Sequence, residues 1–216
     1  MIFKVWNKFK LSNVKISYRN SSVLIPAITK NVSLQTLQGF NNTGNVRIWP
    51  SEELLLVKTN ELLCQNFQND IKVLEIGGGY SSLAGVLNSK LHPNVHFTLT
   101  DGNPDSVASC HKIIETNSLK NCSAMEFVWG ADKPHPVYQN YSIIIIADCF
   151  FFDNAREKLA KSLQILKSIN NDIKIILIGP TRNGTFEKFI NLCNNLNLKL
   201  SPPEIARNDL LISKNF

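Results

Sequence analysis

The run Val73-Leu74-Glu75-Ile76-Gly77-Gly78-Gly79 reads as a buried strand that ends directly in three glycines. About twenty residues further on, a second apolar run over 95–100 stops at Asp101. Glycine carries no Cβ, so the backbone can turn tightly there and come close to a ligand. A carboxylate at the tip of the neighbouring strand can accept hydrogen bonds from the two hydroxyls of a ribose. The pair of features predicts an α/β chain whose adjacent parallel strands end around a nucleoside.

The rest of the chain agrees with that expectation. Strands are predicted at Lys72–Ile76, 95–100, 125–129, 142–147 and 174–178. Ile143-Ile144-Ile145-Ile146 and Ile175-Ile176-Leu177-Ile178 are continuous apolar runs, the pattern of strands covered on both faces. Helix signals fall between them. Ser51 is placed as an N-cap before Glu52 and Glu53, whose carboxylates suit a first turn, and Leu54, Leu55, Leu62 and Leu63 give that helix a buried side. Asn103 precedes Pro104, which fits the first helical position. Asn154 stands three residues before Glu157 in a capping-box spacing, with Leu159, Leu163 and Leu166 on one face. Phe186, Phe189, Ile190 and Cys193 mark a further helix, and 198–200 with 210–212 read as a closing antiparallel hairpin. Alternating segments around Val14–Tyr18 and Val23–Ile25, with Lys4, Lys8, Lys10, Lys15 and Arg19, read as a basic, β-rich appendage over residues 1–45. Residues 46–216 then form one doubly wound, mostly parallel α/β domain.

A chain of 216 residues with 44% hydrophobic and 19% charged residues can bury a full core, which excludes a disordered or fibrous class. No apolar run reaches the length of a bilayer span. The N-terminus lacks the apolar region of a secretory signal, and the five cysteines are scattered without a Cys-x-x-Cys pair. Free thiols in a reducing compartment follow, so the cytoplasm is expected, with the nucleus also open. The four histidines are spaced unlike metal ligands, and no metal is expected. The net charge of +6 suits an acidic partner as well as an ordinary solvated basic surface.

Two nucleoside classes use strand tips of this kind, dinucleotides and S-adenosylmethionine. A dinucleotide fingerprint wants a third glycine where this chain has Ser82. Glu75 places an acid beside the glycine turn, which repels a pyrophosphate but not an ammonium and a sulfonium. Charge therefore favours S-adenosylmethionine.

The block 40–53, Phe-Asn-Asn-Thr-Gly-Asn-Val-Arg-Ile-Trp-Pro-Ser-Glu-Glu, closely resembles the calmodulin-lysine N-methyltransferases, a group within the seven-strand, S-adenosylmethionine-dependent protein methyltransferases. The likeness continues through Leu74–Gly79, Thr100-Asp101-Gly102-Asn103, Trp129 and Ala147-Asp148-Cys149-Phe150-Phe151, and spans roughly residues 40–200. It implies a Rossmann-like class I methyltransferase. Trp49, Glu75, Gly77, Gly78, Gly79, Asp101, Trp129 and Ala147 would hold the cofactor, with Asp101 on the ribose and Trp129 near the adenine. Asp148 would open an acid-x-x-aromatic motif beside the target lysine, with Phe151 at the fourth position, where many relatives carry tyrosine. The implied partner is an acidic protein, calmodulin, met by a monomer; nucleic acid and membrane are not expected.

That chemistry explains the residue types. The attacking lysine must be neutral, whereas its ordinary pKa near 10.4 leaves about one amine in a few thousand deprotonated at pH 7. Desolvation and precise placement lower the barrier. Asp148 can orient the amine by accepting its hydrogen bond, and Phe151 or Phe150 can supply an apolar wall or a cation–π face. Cys149 lacks a recognisable histidine partner and reads as a small packed residue. Two other readings stay open here: a methyltransferase of the same fold acting on another protein or a small molecule, and a non-catalytic S-adenosylmethionine-binding module. The segment between Leu200 and Leu210 is shorter than in the enzymes it resembles, a region that can shape a substrate groove.

Overall fold

The computed structural model describes residues 3–4, 13–27, 40–45, 47–65, 70–131, 135–207 and 210–215. Lys8 and Lys10 of the predicted basic run lie outside these residues. At the N-terminal end β1 (Phe3–Lys4), β2 (Asn13–Tyr18) and β3 (Ser21–Pro26) form a small antiparallel sheet. Its Ile16, Tyr18, Val23 and Ile25 are buried in the same apolar cluster as the helices behind the main sheet. The exposed edge of β3 is capped by Asn117, whose side chain accepts from Leu24 N–H and donates to Leu24 C=O, each at 2.8 Å. Such pairing blunts an edge that would otherwise template association.

The main sheet is built from β4 (Lys72–Ile76), β5 (His96–Asp101), β6 (Cys122–Glu126), β7 (Ile143–Ala147), β8 (Lys174–Pro180), β9 (Glu204–Arg207) and β10 (Leu210–Lys214). The strand order is β6-β5-β4-β7-β8-β10-β9, with β4 to β8 parallel and β10 antiparallel to both β8 and β9. Among the described residues five helices cover it: α1 (Pro50–Leu63), α2 (Leu83–Leu91), α3 (Pro104–Thr116), α4 (Asp153–Ile169) and α5 (Thr185–Asn195). The isoleucine runs alternate between two cores. Val73, Ile143, Ile145 and Ile176 face the side of α1, α2 and α3, while Leu74, Ile144, Ile146 and Ile175 face α4 and α5. Because β4 pairs with β5 on one side and β7 on the other, the chain reverses its winding there. A crevice opens at the carboxyl ends of these strands, the usual place for a ligand in such sheets.

Four local expectations shift. The N-cap of α1 is Trp49 rather than Ser51: Pro50 takes the first helical position, and Glu52 reaches back to accept from Trp49 N–H at 3.0 Å. The third parallel strand is Cys122–Glu126, not 125–129, because Phe127 and Trp129 peel off the strand end and pack over it. Helix α4 starts one residue before Asn154, with Phe152 as its cap. The closing hairpin pairs Glu204–Arg207 with Leu210–Lys214, while the 198–200 stretch stays irregular, its Leu200 clamped by the Asn194 side chain. Asn103, by contrast, caps α3 as expected, accepting from Asp105 N–H at 2.8 Å.

Candidate active site

The crevice is a cavity of about 700 Å³, within the range typical of small-molecule sites. One wall is the glycine turn after β4. Gly78 N–H donates to Thr100 C=O at 3.0 Å and Gly79 N–H donates to Asp101 Oδ2 at 2.8 Å, so the turn is pinned to the end of β5. Gly79 has φ +62°, and a Cβ there would lie 2.6 Å from the Gly44 carbonyl oxygen. Only glycine allows this packing, which docks the 3-10 turn Phe40–Asn45 onto the loop, with Tyr80 N–H donating to Gly44 C=O at 3.1 Å. Gly77, at φ +68°, lies over Cys149 and the Trp129 ring, which a Cβ would meet at 2.3 Å and 3.3 Å.

Of the residues singled out from sequence, Trp49, Gly77, Gly79, Asp101, Trp129, Ala147, Asp148 and Phe151 all line this cavity. Asp101 accepts from Asn103 N–H through Oδ1 and from Gly79 N–H through Oδ2, both at 2.8 Å. Burial pushes its carboxyl up from the ordinary range, and those two N–H groups hold it back. Gly78 and Glu75 do not line the cavity. Glu75 is 1% exposed and lies beneath α2, where its Oε2 accepts from Gly85 N–H at 2.9 Å. Burial, with Glu52 as a like-charged neighbour, pushes it up to about 8. Cys149 is buried under the turn, its thiol pushed well above the ordinary value by burial.

At the other end Asp148 follows β7 in the left-handed region, φ +51°, with its N–H donating to Ile178 C=O at 2.7 Å. Aspartate tolerates that conformation better than most residues. Burial pushes Asp148 up to about 6, and the neighbouring Arg182 guanidinium lowers it. Arg182 donates from Nη1 to Oδ1 at 2.8 Å and from Nη2 to Oδ2 at 3.0 Å, and its guanidinium lies 5.1 Å from the Phe151 ring centroid. Of the three consecutive phenylalanines, Phe150 belongs to the core, sandwiched with Phe186 and Phe189.

Sequence reasoning missed four contributors. Arg182 lies on the β8–α5 loop, where no motif marks it. Gly44 and Thr43 come from the 3-10 turn. Glu52 lines the cavity although it was read only as a first-turn acid. A signal for it existed, since 52, 55, 56, 59 and 63 form one helical stripe whose other members are buried Leu, Leu, Thr and Leu.

The cleft fits a nucleoside joined to a small charged group: a ribose-binding carboxylate, a close-packed glycine turn and aromatic walls stand in one cavity. The fold is that of known methyltransferases. A SAM-dependent methyltransferase from Aquifex aeolicus superposes with a TM-score of 0.60 at 13% identity, over 77% of this chain and 92% of that one. The precorrin-6y C5,15-methyltransferase of Geobacter metallireducens gives 0.55 at 15% identity, over 76% and 86%. The sequence profile described as lysine methyltransferase matches residues 27–195, and the chain belongs to that family. As a member its cofactor is S-adenosylmethionine. A calmodulin-lysine N-methyltransferase of Arabidopsis thaliana is 29% identical over 165 residues, 73% of this chain. The match spans 52% of that relative, so the chain covers about half its length. Among the described residues no helix is long and apolar enough to cross a membrane, and no group of three or more His, Cys, Asp or Glu could hold a metal.

Proposed function

We propose that this chain methylates the side-chain amine of a protein lysine, and that calmodulin is the protein. The observation that carries the reading is that one continuous cavity joins the Gly79–Asp101 end to the Asp148–Phe151–Arg182 end. Bound there, S-adenosylmethionine would supply a sulfonium-bound methyl for an amine lone pair, the C–S bonding electrons returning to sulfur. Asp101 would hold the ribose, Gly77 and Gly79 would give backbone room for the methionine part, and Trp49 and Trp129 would wall it. The lysine enters past Phe151, where loss of water disfavours the charged ammonium and the Arg182 guanidinium beside the ring repels it.

Asp148 accepts an N–H of the amine and aims its lone pair. A lone carboxylate would favour the charged ammonium, but Arg182 already balances Asp148, so the acid can orient the amine without holding its proton. After transfer the new alkylammonium can lose a proton to water at the cavity mouth. Support for calmodulin comes from the relative of that name and from charge. The chain carries +6, and Lys158 and Arg182 line the cavity, which suits an acidic protein through steering and complementarity. Purified chain with labelled S-adenosylmethionine and calmodulin tests the reading. Label on calmodulin that falls at least a hundredfold with Asp148→Ala is expected. No transfer, or undiminished transfer by Asp148→Ala, overturns the assignment of substrate or of mechanism respectively.

A further inference from the structure

Two buried carboxylates, Glu52 and Glu75, and the half-buried Asp101 surround the glycine turn, and among the described residues none of the three forms an ion pair. Asp101 is satisfied by two backbone N–H groups, and Glu75 is turned away beneath α2. Glu52 is different. It is 7% exposed, stands in the first turn of α1 and lines the cavity together with Trp49, Gly77 and Gly79. Its Oε1 accepts from Trp49 N–H at 3.0 Å, and its Oε2 accepts from Ser81 O–H at 2.7 Å. Ser81 lies two residues past Gly79, so the carboxylate is held at a fixed place on the cavity wall by α1 and by the segment after the turn together.

Helix capping alone does not explain an acid here. The cap needs one acceptor for Trp49 N–H, which a glutamine supplies equally well. A charge drawn out of water costs several kcal/mol, and neutral hydrogen bonds return only part of it. The compensation missing from the wall is a cation in the cavity. Resting on the reading of this cleft as an S-adenosylmethionine site, we propose that Glu52 is the counter-charge for the ammonium of the cofactor's amino-acid part. It thereby makes the site select an amino-acid-bearing nucleoside over one that lacks the amine. Glu75, turned away beneath α2, makes no such contact, and Glu52 makes it.

Calorimetry with S-adenosylhomocysteine and with 5′-methylthioadenosine tests this, because the two share adenine, ribose and thioether and differ in the amino-acid part. Glu52→Gln keeps the cap and removes the charge. It should weaken S-adenosylhomocysteine roughly ten- to a hundredfold, the range for a hydrogen bond to a charged group. Binding of 5′-methylthioadenosine should change less than about threefold, and Glu52→Asp should retain more S-adenosylhomocysteine affinity than Glu52→Gln. Equal or tighter S-adenosylhomocysteine binding by Glu52→Gln overturns the proposal, as does a parallel loss of 5′-methylthioadenosine. If Glu52→Gln does not fold, wild type alone decides. It should prefer S-adenosylhomocysteine over its deaminated analogue by more than about tenfold, and a ratio near one refutes the role. A wild-type chain that binds no S-adenosylhomocysteine at all instead refutes the cofactor reading, and the proposal with it.

Discussion

Glu75→Gln isolates the physics of the acid behind the glycine turn. Glu75 is 1% exposed, its Oε2 accepts from Gly85 N–H, and its Oε1 has no partner. Burial pushes its carboxyl from 4.5 up to about 8. In the unfolded chain the group ionises near its ordinary value, while in the folded chain it keeps its proton through that window. The unfolded state then binds fewer protons, so stability falls as pH rises, by about 1.4 kcal/mol per pH unit. Across the window the loss is on the order of 5 kcal/mol, a large share of a domain's usual 5–15 kcal/mol. Glutamine cannot ionise and escapes this loss. It can still accept from Gly85 N–H, but its amide nitrogen takes the place of the unpartnered oxygen and costs about 1–3 kcal/mol at every pH. Urea unfolding at fixed pH steps should therefore show the variant less stable than wild type near pH 5 and more stable above about pH 8. Glu52 titrates in both proteins and cancels to first order. A stability difference that stays constant from about pH 5 to pH 9 would refute the argument.

Three further substitutions probe other parts of the site. Gly85→Ala places a Cβ 2.3 Å from Leu99 Cδ2 and 2.5 Å from Glu75 Oε2, and should cost about 1–3 kcal/mol in denaturant unfolding. Asp101→Asn sets its amide NH2 against one of the two backbone N–H groups that Asp101 accepts, so it should cost about 1–3 kcal/mol in thermal unfolding and weaken S-adenosylhomocysteine at least about tenfold in calorimetry while folded; unchanged affinity would remove Asp101 from the ribose. Arg182→Met removes the charge that lowers Asp148, so Asp148 should titrate above about 6 and the acid limb of methyl transfer should move to higher pH. A pH–rate profile with an unmoved limb would show that Arg182 acts only as a surface ion pair.

Much of this was legible in the sequence because it depends on short-range chemistry. The isoleucine runs are strands buried on both faces, and the apolar stretches before Gly77 and Asp101 ended where the cavity is built. What escaped depends on contacts between distant segments. Glu75 and Glu52 both look like acids near a turn. Only the side each faces decides that Glu75 supports Gly85 while Glu52 reaches the cavity. Arg182 is separated from Asp148 by 34 residues and meets it because β7 and β8 are neighbours. Aromatic residues misled in one place, since Phe127 and Trp129 have strong strand propensity yet leave the ladder to cover the crevice.

In the proposed reaction the two ends of one cavity bring a methyl donor to a protein lysine. Peptide mass spectrometry of calmodulin, incubated with this chain and S-adenosylmethionine, tests it most directly. Methyl groups are expected on lysine side chains alone, absent when the cofactor is omitted and strongly reduced with Asp148→Ala. Unmodified lysines under conditions where the chain binds S-adenosylhomocysteine would contradict it.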